Sequence, residues 1–219
     1  MTQVYQYDDW SEPGGLSRAD QELAQFNLTT EILHLGVARG LRNARNRTAA
    51  ALPSAKGSDI YQDSMEDLTA LLKPKGWRLL QFHMQPRLVH PNGVMSFTVS
   101  AAKGLSSRSG DGPITNAKGR STRMSLSSKP YAQDALFEAE ENESDPVFDE
   151  IPFFFLLHEY TPAGLYLELS SPAAMDDKTG VVTEWSQRIP IPFLSATGDL
   201  SPFATDGPDD DFDVPVEPL

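Results

Sequence analysis

The stretch that decides the fold is 77–100, WRLLQFHMQPRLVHPNGVMSFTVS, where the spacing of apolar residues drops from a helical repeat to a period of two. Leu80, Phe82 and Met84 alternate with Gln81 and His83, as on a strand with one buried face. Arg87 to His90 and Val94 to Ser100 then flank Pro91-Asn92-Gly93, and Asn-Gly is a strong tight-turn signal. This predicts one strand followed by a β-hairpin.

Upstream, the pattern is helical. Leu16 to Arg47 carries Leu23, Phe26, Ile32, Leu33, Val37 and Leu41 at roughly helical spacing, with Ser17 as a cap and Asp20 and Glu22 suited to the first turn. Asn27-Leu28-Thr29-Thr30 is expected to split this stretch in two, and Gly36 and Gly40 could let another backbone approach closely. A second helix is expected from Ser58 or Asp59 to Lys73, with Ile60, Met65, Leu68, Leu71 and Leu72 inward, Pro74 closing it and Lys75-Gly76 turning the chain.

Downstream, Pro152 to Tyr160 is strongly apolar, and Leu165, Leu167 and Leu169 alternate with Tyr166 and Glu168 after the turn Thr161-Pro162-Ala163-Gly164. A further strand is expected near Val181 to Ile191, and Pro190 and Pro192 mark its end as an edge. The order helices, strands, long loop, strands predicts an α+β fold. We expect an antiparallel sheet of about five to six strands covered on one face by the N-terminal helices. The expected division is a flexible N-terminus over 1–15, one domain over 16–196 interrupted by a polar loop at 101–150, and an acidic, Pro-rich extended tail over 197–219.

Of 219 residues, 39% are hydrophobic and 22% charged, the composition of an ordinary globular chain. There is no cysteine, which excludes disulfides and thiolate metal sites and fits a reducing compartment. No apolar run approaches the roughly 20 residues of a membrane helix, and Met1 to Gly15 has no apolar signal core, so a cytoplasmic protein is expected. The net charge of −13 resides in two runs, Glu138 to Glu150 and Asp206 to Leu219. The rest is neutral, and within it Lys103, Arg108, Lys118, Arg120, Arg123 and Lys129 form a basic arm interrupted by Asp111 alone. Such an arm can meet phosphate or pair with the acidic runs of its own chain.

Gln133-Asp134-Ala135-Leu136-Phe137 lies between that arm and the first acidic run. An amide, a leucine and a phenylalanine at fixed spacing in so polar a setting have the profile of a docking peptide. The pentapeptide resembles the bacterial sliding-clamp-binding motif, carried here by Gln133, Leu136 and Phe137, with Asp134 and Ala135 at the permissive positions. The resemblance implies that Leu136 and Phe137 enter a hydrophobic pocket of the replication clamp while Gln133 fixes direction by hydrogen bonds. The other reading is a small hydrophobic cluster that anchors the loop onto its own domain. Gly112-Pro113-Ile114-Thr115, Lys118-Gly119-Arg120-Ser121-Thr122, Leu165 to Leu169 and Trp185 to Pro190 together look like uncharacterised proteins of actinobacterial and phage or plasmid origin. That resemblance implies no activity, but with the pentapeptide it points to a mobile-element or replication-linked role.

Nucleic-acid binding is the competing class. Arg39, Arg42 and Arg45 recur every three residues of a helix with Arg47 nearby, and Lys118, Arg120 and Arg123 could add phosphate contacts. The acidic balance and the lack of aromatic residues within the arm oppose it. Catalysis has no signal: His34, His83, His90 and His158 are dispersed, Asp176-Asp177-Lys178 reads as a hairpin turn, and Gly104 to Gly119 lacks the setting of a phosphate loop. A site combining His83, His158 and Glu159 would have to be assembled by the sheet. No cofactor or metal is implied, and an unrecognised enzyme is the third reading.

Overall fold

The computed structural model describes residues 17–107, 112–126 and 151–197. Helix α1 (Arg18–Ala24) starts where the Ser17 hydroxyl accepts from the Asp20 amide at 3.1 Å. Asn27 then takes a left-handed conformation, φ 54°, and the chain restarts at α2 (Thr30–Asn46), capped by the Thr29 hydroxyl accepting from Ile32 N–H. The split expected at Asn27 to Thr30 is therefore present. Helix α3 (Ala55–Leu72) begins three residues before the expected Ser58, after Pro53. It packs along α2 at the two glycines: a Cβ on Gly40 would lie 2.7 Å from Ile60 Cα, and one on Gly36 would strike the Leu68 side chain. A short 3-10 turn, Lys73–Lys75, ends in left-handed Gly76 at φ 84°.

The sheet then forms as β1 (Arg78–Phe82), β2 (Gln85–Val89), β3 (Ser96–Lys103), β4 (Ile114–Thr115), β5 (Phe153–Thr161), β6 (Gly164–Met175) and β7 (Val182–Ser195), with α4 (Arg120–Leu126) after β4. The strand order is β1-β2-β3-β5-β6-β7, with β4 paired to the end of β3. This is the expected α+β architecture, one strand larger than expected. Two points differ from the sequence reading.

First, the strand expected through Met84 ends at Phe82. His83 and Met84, at φ 44° and 67°, form a two-residue turn between β1 and β2, and Met84 is 93% exposed. Neither is glycine or asparagine, so the turn carried no compositional mark. The Asn92-Gly93 turn is also present, with Gly93 at φ 68°, and joins β2 to β3.

Second, the sheet is not wholly antiparallel. β3 and β5 run parallel from Ser96↔Phe153 to Ala101↔His158. A parallel neighbour needs a long crossover, which explains why the two halves of the sheet are separated by so much chain. The described part of that crossover is ordered structure and not the loop expected from residue 101. Glu159 receives the Gly104 and Ser106 amides at 3.2 and 2.7 Å, Leu105 is buried, and 112–126 crosses the sheet face opposite the helices.

Alternation along β5 divides the interior. Phe154 and Leu156 join Leu33, Val37, Ile60 and Leu68 beneath the helices, whereas Phe153, Phe155 and Leu157 join Leu105 and Val182 on the opposite side. β7 forms one edge of the sheet, and its Pro190, opposite Glu168, and Pro192 suit that position. Among the described residues no helix is long and apolar enough to cross a membrane.

Candidate functional site

Gln133, Leu136 and Phe137 lie outside the described residues, as do Arg108, Lys129 and both acidic runs. What the fold supplies is the frame of their segment. The chain leaves α4 at Leu126 and returns at Ile151, before β5. Helix α4 is held over the β1–β2 hairpin: the Ser121 hydroxyl donates to His83 O at 2.6 Å, and Arg87 of β2 donates to Ser121 O at 3.3 Å and to Ser125 Oγ at 2.8 Å. At the return, Ser96 N–H donates to Pro152 O at 2.8 Å.

Arg87 is the residue that strand periodicity hid. It is only 2% exposed, and its guanidinium lies 4.0 Å from the Phe82 ring centre and 3.9 Å from that of Phe153. Stacking between two rings compensates desolvation of a weakly hydrated, delocalised cation, and the Gln85 side chain adds two short contacts to it. Glu168 and Arg188 were equally unmarked. In an alternating strand such residues read as solvent-facing, yet Glu168 is 1% exposed and the two side chains meet in a forked ion pair on the covered face.

The basic residues considered for nucleic acid do not form one surface. Arg39 is tied to α3 through Glu66 at 2.7 Å and Asp67 at 2.8 Å, Arg45 donates to the Ala196 carbonyl, and Arg47 pairs with Asp59 at 2.6 Å. Arg42 projects into solvent. Lys118 lies over the other face of the sheet, its amine on Ser100 Oγ at 2.5 Å and 5.1 Å from the Phe155 ring centre, and burial lowers its pKa to about 8. Arg123 donates to Asp177 O at 3.0 Å, and Arg120 is exposed. Helical periodicity located the α2 arginines correctly but could not show that α3 supplies carboxylates to Arg39 and to Arg47.

The histidines are also separated. His34 donates to Pro192 O at 2.7 Å. His83 sits in the exposed hairpin turn. His90 accepts from Asn92 N–H at 3.1 Å and lies 3.2 Å from the Asn27 side-chain amide, an arrangement that needs a neutral ring and that burial favours by lowering its pKa. His158 follows Phe154 and Leu156 on the helix side, both ring nitrogens without a hydrogen-bond partner, and burial, with the Lys118 charge second, lowers its pKa to about 4. His83, His158 and Glu159 are not brought together, and no group of three His, Asp or Glu among the described residues could hold a metal ion. A surface depression of about 670 Å³ beside α1 includes Asp20, Asn27, Glu31 and Lys75, but Asp20 already accepts from Ser17 and from the Thr30 amide.

No family model, curated protein or solved structure matches the chain.

Proposed function

We propose that this chain acts by interaction, presenting Gln133-Asp134-Ala135-Leu136-Phe137 as a docking peptide for a bacterial sliding clamp in a replication-linked or mobile-element setting. The observation that carries the reading is the residue pattern itself: an amide and two adjoining large apolar side chains in a polar insertion between α4 and β5. A folded body that anchors both ends of the insertion limits the ordering entropy lost on binding, compared with a free peptide.

The distribution of arginine contacts favours this reading over nucleic-acid binding. Arg39 and Arg47 already answer carboxylates, Arg45 answers a carbonyl, and Lys118 is half-buried on the opposite face of the sheet from α2.

The test is binding of the purified full chain to a purified bacterial clamp, wild type against Leu136→Ala/Phe137→Ala. Burial of the two side chains contributes roughly 1.5–3 kcal/mol each, so the double variant is expected to bind on the order of a hundredfold or more weakly. Equal binding by the two proteins, or none by the wild type, overturns the proposal.

A further inference from the structure

Ser100 and Lys118 stand 18 residues apart in a stretch without a catalytic motif, yet the fold brings them into contact on the sheet face opposite the helices. The Lys118 amine lies 2.5 Å from Ser100 Oγ. A serine hydroxyl is a weak nucleophile until a neighbouring base takes its proton, and a neutral lysine amine can serve as that base. The contact has the reach that such a transfer needs.

Each side chain is aimed by a fixed piece of backbone. Ser100 belongs to β3, where it stands opposite Leu157 of β5. Lys118 belongs to the crossing segment, which is fastened to the β6–β7 turn: its N–H donates to Gly180 O at 2.7 Å, and a Cβ on Gly180 would lie 2.9 Å from Lys118 O. From there the amine reaches to 5.1 Å from the Phe155 ring centre. Both residues are half-buried, so neither is sealed from solvent.

The surroundings suit a base. Lys118 forms no ion pair among the described residues, and burial lowers its pKa to about 8. An amine at the ordinary 10.5 is almost wholly protonated at neutral pH and has no lone pair to offer, whereas at about 8 roughly a tenth is neutral at pH 7. The other acceptor near the hydroxyl, Ala101 O, is 3.5 Å from Oγ, too far to compete with the amine for its proton. His158 of β5 senses the Lys118 charge, but with its own pKa lowered to about 4 it is neutral wherever Lys118 titrates.

We propose that Ser100 and Lys118 act as nucleophile and general base in acyl transfer from an uncharged carboxylic ester or amide. Lys118 Nζ takes the Oγ proton as Oγ bonds to the carbonyl carbon, and the same proton passes to the leaving alcohol or amine as its bond to that carbon breaks. Water, deprotonated by the freed amine, then cleaves the acyl-Ser100 ester, releasing the carboxylic acid and restoring the hydroxyl. Phe155 and Leu157 beside the pair favour an apolar acyl group, and one bearing a carboxylate would hold Lys118 protonated. This activity is separate from clamp docking and stands without it.

A fluorophosphonate probe, which bonds to an activated serine with loss of fluoride, tests the full chain. Peptide mass analysis should place the label on Ser100, and the labelling rate should rise with pH through about 8. Ser100→Ala should remove the label, and Lys118→Met and Lys118→Arg should each slow labelling by about a hundredfold or more. Arginine keeps a cation against Ser100 but does not deprotonate, so a lysine with a purely structural role would leave Lys118→Arg labelled at the wild-type rate. The wild type should also turn over para-nitrophenyl butyrate, and Ser100→Ala should not. No label on Ser100, a pH-independent rate, wild-type labelling of Lys118→Arg or absence of ester turnover each overturns the proposal. Should a variant prove unfolded, the label position and pH profile of the wild type still decide it.

Discussion

Arg188 grips Glu168 with both arms of its guanidinium, at 2.7 and 2.9 Å, beneath the segment that crosses the sheet. Ser170 Oγ donates to the same carboxylate at 2.6 Å, so the buried anion has three short contacts. Removing one partner leaves an uncompensated buried charge. Arg188→Met is expected to cost about 3–5 kcal/mol, whereas Arg188→Met/Glu168→Leu recovers most of the loss. Urea unfolding of the single and double variants checks this; equal destabilisation by both would contradict it.

Gly40 and Gly57 should respond oppositely to alanine. A Cβ on Gly40 meets the Ile60 backbone, which cannot move aside cheaply, so Gly40→Ala is expected to destabilise by about 1–3 kcal/mol. Gly57 lies in α3 with nothing within 4 Å of its built Cβ, so Gly57→Ala should stabilise by about 0.5–1 kcal/mol. Thermal unfolding of the two variants separates these signs.

The His83-Met84 turn is a site of stored strain. Both residues hold positive φ, at a cost of roughly 1–2 kcal/mol each relative to glycine or asparagine. His83→Asn/Met84→Gly is therefore expected to raise stability by about 1–2 kcal/mol, leaving the backbone carbonyl that receives Ser121 in place. A fall in the unfolding midpoint would refute the turn assignment.

Acid should destabilise the fold through His158. Burial lowers its pKa from the ordinary 6.5 to about 4, so between these values the unfolded chain binds a proton that the folded chain refuses. Stability contributed by the neutral ring is complete above pH 6.5 and is lost as pH falls toward 4, by about 3 kcal/mol. His158→Leu should flatten that part of the profile. A difference between wild type and variant that does not change with pH in this window would exclude the assignment.

Lys118 works in the alkaline range with the same sign. Its pKa falls from 10.5 to about 8, so the folded chain tolerates the charge poorly below pH 8 and gains stability as pH rises from 8 to 10.5. Lys118→Met should be more stable than wild type at pH 7 by about 1–2 kcal/mol, once the lost contact with Ser100 is set against the relieved desolvation. The gain should vanish near pH 10.5, which unfolding measured at both pH values will reveal.

The elements were legible where a single strong signal decided them. Ser17 capped a helix, Asn27 to Thr30 split the helical stretch, the Gly36 and Gly40 pair marked the helix contact, Asn92-Gly93 turned, and the prolines of β7 marked an edge. The His83-Met84 turn was not legible because its conformation is imposed by the hairpin and not favoured by its residues. Nor was the parallel pairing of β3 with β5, since strand direction depends on the route of the crossover and not on alternation. Arg87, Glu168 and Arg188 looked solvent-facing for the same reason: periodicity reports sides of a strand, and only the crossing segment 112–126 reveals that the second side is covered. As for function, the Gln133 to Phe137 pattern is a feature of the sequence alone and lies outside the described residues.

Among the described residues, the parallel contact between β3 and β5 joins a piece containing all four α-helices and the first four strands to a three-stranded meander. A single cleavage within 127–150 would turn their assembly from an intramolecular event into a bimolecular one. Such a nicked molecule would melt at a temperature that depends on its concentration, and its two fragments, expressed apart, would serve as complementing halves.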